Sequence, residues 1–310
     1  MPILRLNAGE NGLVLHGSPA APLPAIISAA RGTGPVIVMI HGFKYDPDHL
    51  SCDPHATIFA RQPHLGRTDK VPWPRHLGFG MGHEDEGLAI AFGWRARGNI
   101  WRAQRSASAA GRHLAEVIDL IRSVAPRRAI HLISHSMGSE VVFDALHALP
   151  ARSVDRIIAL TGASYQRRAT EAMQTDAGRS AELINVLTRE NDLFDALFEC
   201  IMPAGAQDKA MGSGLDLPNA VNLQLDCQTT LDHLSDLGAP IAASQRICCH
   251  WSGYTRPGAL RFYNAALRDV KRLSLPRLHA GVPNGLDPRW SRFLPRFNHN
   301  AAADRFEKAI

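Results

Sequence analysis

Val36 to Ile40 is an unbroken apolar run, entered from Gly32-Thr33-Gly34-Pro35 and closed by His41-Gly42. Four more runs of the same kind follow: Leu88 to Phe92, Ala129 to Ile133, Arg156 to Leu160 and Leu183 to Leu187. Runs that are apolar on both faces predict strands of a parallel sheet covered by helices on either side. The segments between them change period. Leu114, Val117, Ile118 and Ile121 recur at helical spacing, and so do Val142, Ala145, Leu146 and Leu149. Leu260, Tyr263, Leu267 and Val270 predict another helix, with Pro257 in its first turn. Ile3–Leu6 and Leu13–His16, joined through Asn11-Gly12, predict a leading hairpin. The alternation predicts an α/β fold, a mostly parallel central sheet flanked by helices with right-handed crossovers.

Two stretches break the alternation. Residues 44–86 are rich in Pro, His, Asp and Gly, and residues 201–248 carry Met211-Gly212-Ser213-Gly214 among amphipathic pieces. Loops of this length inside a compact domain act as lids or binding walls. No linker composition separates them from the rest. The expectation is one domain over residues 1–275 with lid-like insertions near 44–86 and 201–248, then a Pro-, Asn- and Arg-rich tail over 276–310.

Composition narrows the classes. The chain has 310 residues, is 45% hydrophobic and 20% charged, and its mean hydropathy is −0.13. Such a chain is too apolar for disorder and long enough to bury a sizeable core. Its purest apolar run is far short of a membrane span, and the N-terminus lacks the basic-then-apolar order of a signal peptide. The net charge is +5, from 29 Arg and 5 Lys against 29 acids. The arginines are scattered singly and in pairs, without a basic stripe, so they read as a solvated surface and not as a nucleic-acid partner. Five cysteines without paired spacing suggest a reduced, cytoplasmic chain. His49, Cys52 and His55, with Asp46 and Asp48 upstream, match no zinc spacing, so no metal is expected there; the loop reads instead as the wall of a pocket entrance.

The chemistry concentrates in Ala129-Ile130-His131-Leu132-Ile133-Ser134-His135-Ser136-Met137-Gly138-Ser139. A strand runs into Ser-x-Ser-x-Gly and a helical pattern starts at once. Ser136 on such a turn projects its hydroxyl above the sheet edge, and only small neighbours such as Ser134 and Gly138 leave room for it. The helix N-terminus behind it favours developing negative charge. An oxyanion site needs two backbone amides aimed at one point. Met137 supplies one, and Phe43, after the strand ending His41-Gly42, supplies the other.

His41-Gly42-Phe43, Ser134-His135-Ser136-Met137-Gly138 and the strand–helix order between them resemble the α/β-hydrolase superfamily over most of the chain, and within it uncharacterised bacterial serine-hydrolase branches. The resemblance implies a triad in the order Ser, acid, His. It implies Asp192 as the acid, after the Ile184–Thr188 strand, with Asp195 and Glu190 as rivals. It implies His250, before the last helix, as the base, with His233 as the alternative. His131 and His135 read as structural. The expected activity is hydrolysis of a small-molecule carboxylic ester through an acyl-enzyme intermediate, with no cofactor. Acyl transfer, thioester or amide cleavage with the same residues, or a non-catalytic binding role, are the other readings.

Overall fold

The computed structural model describes residues 3–62, 71–205 and 207–293. Eight strands form one sheet: β1 Ile3–Gly9, β2 Gly12–Leu15, β3 Val36–Ile40, β4 Leu88–Trp94, β5 Ile130–His135, β6 Arg156–Leu160, β7 Glu182–Leu187 and β8 Ala220–Gln224. Their order is β2-β1-β4-β3-β5-β6-β7-β8, with β2 antiparallel to β1 and every other neighbouring pair parallel. This is the parallel α/β sheet that the apolar runs predicted. The hairpin turns at Glu10-Asn11, one residue earlier than expected, because Gly9 pairs with Gly12.

β3 shows how one strand serves two cores. Val36, Val38 and Ile40 face the helices Pro22–Ala30, Ile100–Val124 and Gly138–Ala148, while Ile37 and Met39 face the Ala259–Arg268 helix. That last helix starts after Gly258 and ends before Val270, so Pro257 precedes it and Val270 lies on the surface.

The two anomalous stretches have different explanations. Within 44–86, Ile58, Phe59, Trp73, Leu77 and Phe79 are buried in the second core, so this segment packs against the sheet where a helix would otherwise lie. Residues 63–70 of it lie outside the described residues. Within 201–248, β8 and the Gln228–Asp236 helix continue the strand–helix alternation. β8 has no continuous apolar run because it is an edge strand. Val221 and Leu223 are buried in the core, whereas Asn222 reaches its neighbour β7 through a 2.9 Å hydrogen bond from Asn185 Nδ2. The tail is partly ordered. Its short helix Leu275–His279 buries Leu278, and residues up to Phe293 run across the C-terminal ends of β7 and β8. Residues 294–310 lie outside the described residues. No helix among the described residues is long and apolar enough to cross a membrane.

Candidate active site

β5 ends at His135 and a helix begins at Gly138, which leaves Ser136 and Met137 to make the whole turn. Ser136 takes φ of 53°, in the left-handed region that a side chain enters at a cost of roughly 1–3 kcal/mol. Three backbone bonds hold it there. Ser136 N–H donates to Leu160 O (3.0 Å), and Ser136 O accepts from Ser139 N (3.1 Å) and Ala163 N (3.0 Å). The buried hydroxyls of Ser134 and Ser139 meet at 3.2 Å, so serine fills the position two residues before Ser136 and bonds to the helix behind it.

The β3 end lies directly against this turn. A Cβ on Gly42 would stand 2.7 Å from His135 O and 2.8 Å from Ser136 Cβ, so only glycine fits. His41 fixes the turn from below. Its ring stacks on Trp94, its Nε2 accepts from Trp94 N–H (3.0 Å), and its Nδ1–H therefore donates to Gly42 O (2.9 Å). Burial lowers the pKa of His41 to about 3, so it stays neutral and structural. Beyond Phe43, Lys44 takes φ of 76° and donates its amide to Ala96 O (2.8 Å). The amides of Phe43 and Met137 donate no hydrogen bond among the described residues.

His250 arrives on the loop after the Gln228–Asp236 helix. Its carbonyl accepts from His135 Nε2–H and Thr161 Oγ1–H, both at 3.2 Å. Its ring lies between Phe194, stacked at 4.7 Å, and His135, also at 4.7 Å. Nδ1 is 2.6 Å from Asn191 Oδ1, and Asn191 Nδ2 donates to Asp195 Oδ1 at 2.9 Å. Because Asp195 takes the amide N–H, the amide oxygen faces the imidazole. Nδ1 then carries the proton and Nε2 keeps its lone pair. Burial, with smaller contributions from His135 and Lys44, holds the His250 pKa well below its ordinary value, which favours that neutral form. Ser136 Oγ makes no hydrogen bond among the described residues.

Residues 26–169, which span β3 through the serine turn, match a family model described as "Alpha/beta hydrolase of unknown function (DUF900)". Over this span, a little under half of its length, the chain is similar to an α/β-hydrolase family, and its mostly parallel sheet flanked by helices is the α/β-hydrolase fold. No curated protein matches it.

In this hydrolase fold the matched span holds Gly42, Phe43, Ser136 and Met137 but not the residues around His250. There the geometry departs from expectation. Asp192 does not reach His250. Its fully buried carboxylate pairs with Arg189 Nη1 (3.0 Å) and accepts Trp290 N–H (2.7 Å) from the tail. Glu190 pairs with Arg256 (2.6 Å), and its carbonyl accepts Cys249 N–H (2.9 Å), which ties the His250 loop to the end of β7. Asp195 is one step removed, behind Asn191. Burial, partly opposed by Arg289, raises its pKa to about 7. His233 is elsewhere, with its Nε2 on Arg277 O (2.9 Å).

Asn191 escaped the sequence reading because a search for a carboxylate passes over an amide. Its carbonyl oxygen fixes the tautomer in the same way. The only signal was its place beside Asp192 after β7. Trp73 and Trp94 are core residues, whereas Trp101 and Trp251 are exposed.

The His49, Cys52 and His55 side chains do not converge. His49 caps its own turn through Ser51, and His55 turns to Asn7, donating Nε2–H to Oδ1 at 2.7 Å. One group, His16, Asp53 and His55, has ligand atoms within 4.8 Å of one another. Its two imidazoles are stacked at 4.1 Å and 29°. A metal must lie near the plane of each ring it binds, and stacked rings cannot both point at one ion, so this arrangement does not form a metal centre without turning a ring.

Proposed function

We propose that this protein is a serine hydrolase that cleaves a carboxylic ester. Ser136 Oγ attacks the ester carbonyl carbon while His250 Nε2 takes its proton. The amides of Phe43 and Met137 receive the oxyanion of the tetrahedral intermediate. The intermediate collapses as His250 gives the proton to the departing alcohol, which leaves an acyl-Ser136 ester. Water, deprotonated by the same nitrogen, then releases the acid. Asn191 stands where the resemblance implied Asp192. It accepts the Nδ1–H of His250 and keeps the imidazole in the tautomer that can act as base, and Asp195 fixes the amide.

The observation that carries this reading is the strained Ser136 turn, built against a glycine turn whose next amide donates to no acceptor among the described residues. Strain of this kind persists only where the surrounding structure over-determines it, and it collects at functional sites. Phe194 and the exposed Trp251 add an apolar wall beside the base, suited to the carbon skeleton of an ester.

A fluorophosphonate probe tests the reading. The expected result is a single adduct on Ser136, with turnover of a short 4-nitrophenyl ester lost in Ser136→Ala while the circular dichroism spectrum is kept. A folded wild-type protein that neither takes the label nor cleaves any member of a panel of acyl lengths would overturn it.

A further inference from the structure

The sequence disperses its arginines, but the Ile100–Val124 helix gathers several of them. Arg102, Arg105 and Arg112 are spaced by three and seven residues and so share one side of the helix, spread over about 15 Å of its axis. All three are exposed, and Arg97 joins them from the loop after β4. Together they form one wall of a cleft of about 1320 Å³, floored by small residues such as Ser106 and Ala109. Phe43 and Lys44 line the cleft too, and Phe43 directly follows Gly42, where a Cβ would stand 2.8 Å from Ser136 Cβ, so the cleft adjoins the serine turn. The walls are tied together by Lys44 N–H to Ala96 O (2.8 Å) and Ala96 N–H to Tyr45 O (3.0 Å).

The charge in this cleft is unbalanced. Arg95 takes both Glu10 and Asp48, and Glu116 pairs with His113. Among the described residues, Arg97, Arg102, Arg105, Arg112 and Lys44 have no carboxylate partner, and Asp46 is the acid left over in the lining. The N-terminus of the same helix, capped by Asn99, adds its partial positive charge at the cleft. Guanidinium groups match the planar, paired oxygens of carboxylates and phosphates, and a cleft lined by one sign of charge concentrates ligands of the other.

We propose that this cleft binds the anionic part of the substrate, so that the ester cleaved at Ser136 carries a carboxylate or phosphate group; this rests on the hydrolase reading above. Two matched pairs of esters test it. Mono-4-nitrophenyl glutarate against 4-nitrophenyl pentanoate places the charge on the acyl side. 4-Acetoxyphenyl phosphate against 4-methylphenyl acetate places it on the alcohol side. One anionic ester is expected to exceed its neutral partner in kcat/KM by roughly tenfold or more at low ionic strength. The ratio should fall toward one in about 0.5 M salt, where charges are screened within a few ångströms. Arg102→Glu combined with Arg105→Glu should bring the ratio near one, whereas Arg127→Glu, an exposed arginine at the other end of the sheet, should leave it in place. A ratio near one for both wild-type pairs overturns the proposal, as does an equal effect of Arg127→Glu.

Calorimetric titration with tripolyphosphate separates the cleft from the chemistry. Binding lost in the double variant is expected. No binding to the wild type overturns the anion site even if esters are cleaved, whereas binding without cleavage of any ester keeps the site and overturns the hydrolase reading. Binding of a single-stranded oligonucleotide far tighter than tripolyphosphate, with the same arginine dependence, overturns the substrate assignment in favour of a nucleic-acid surface.

Discussion

Asn191 and Asp192 are neighbours in sequence with opposite surroundings, and the contrast separates two kinds of loss. Asn191 touches the imidazole of His250, whereas Asp192 touches Arg189 and the tail. Asn191→Ala removes the acceptor that fixes the tautomer and is expected to lower kcat on the order of 10²-fold, at a cost of about 1–3 kcal/mol in folding stability for the buried partners it leaves. Asn191→Asp restores an acceptor and should recover part of that loss. Asp192→Ala leaves a guanidinium buried without its partner, which costs about 3–5 kcal/mol. Its effect should therefore appear in the urea midpoint, with kcat of the folded fraction much less changed than in Asn191→Ala. The reverse pattern would return the acid role to Asp192. At this scale the sequence was legible where local geometry follows from the letters: the apolar run into Ser-x-Ser-x-Gly placed Ser136 on the tight strand-to-helix turn that the structure has. Asn191 could not be read in this way, because nothing in an amide announces that its oxygen faces an imidazole. The arginines on the cleft-facing side of the Ile100–Val124 helix were visible as letters and invisible as a group until the helical period was applied to charge as well as to apolar positions.

Elements that bury both faces were legible almost to the residue. β3 and β6 match their apolar runs, whereas β8 was hidden inside a supposed loop because Asn222 and Gln224 interrupt it. The segment after β3 misled for a related reason. Its prolines and aspartates signal turns, and turns say nothing of where Phe59, Trp73 and Phe79 pack. The join between β3 and the β5 turn is the element contact on which the proposed chemistry depends most. A methyl on Gly42 would collide with His135 O and Ser136 Cβ at 2.7 and 2.8 Å. Gly42→Ala is therefore expected to destabilise the fold by about 1–3 kcal/mol. It should also shift the Phe43 amide from its place, lowering kcat roughly 10²-fold. The check is kcat and KM on a neutral ester beside a urea titration. A variant with unchanged stability and unchanged kcat would mean that the two turns are not in contact.

The whole molecule encloses more titratable groups than its chemistry uses, and they oppose one another as pH falls. Burial lowers the pKa of His41 to about 3 and those of His131 and His135 to about 4. These rings are neutral in the folded chain, while an unfolded chain protonates them near pH 6.5. Their contribution is complete above that value and is lost as pH falls toward 4. Asp195 acts in the other direction. Burial raises its pKa to about 7, so the folded protein holds its proton through a range in which an unfolded aspartate, with a pKa of about 3.9, is ionised. Between about pH 7 and pH 4 Asp195 thus adds stability on acidification. Each group contributes at most about 1.4 kcal/mol per pH unit, and the lowered histidines, His55 and His250 included, outnumber Asp195 and the other buried acids with raised pKa, Glu140 and Asp192. The urea midpoint of the wild type is therefore expected to fall steadily from pH 7 to pH 4.5. Asp195→Asn keeps an oxygen for Asn191 Nδ2–H but no longer titrates, so its midpoint should fall more steeply over the same range. A shallower fall in the variant would show that Asp195 is ionised in the folded protein throughout, held by Arg289 and the amide of Asn191 more strongly than burial opposes it.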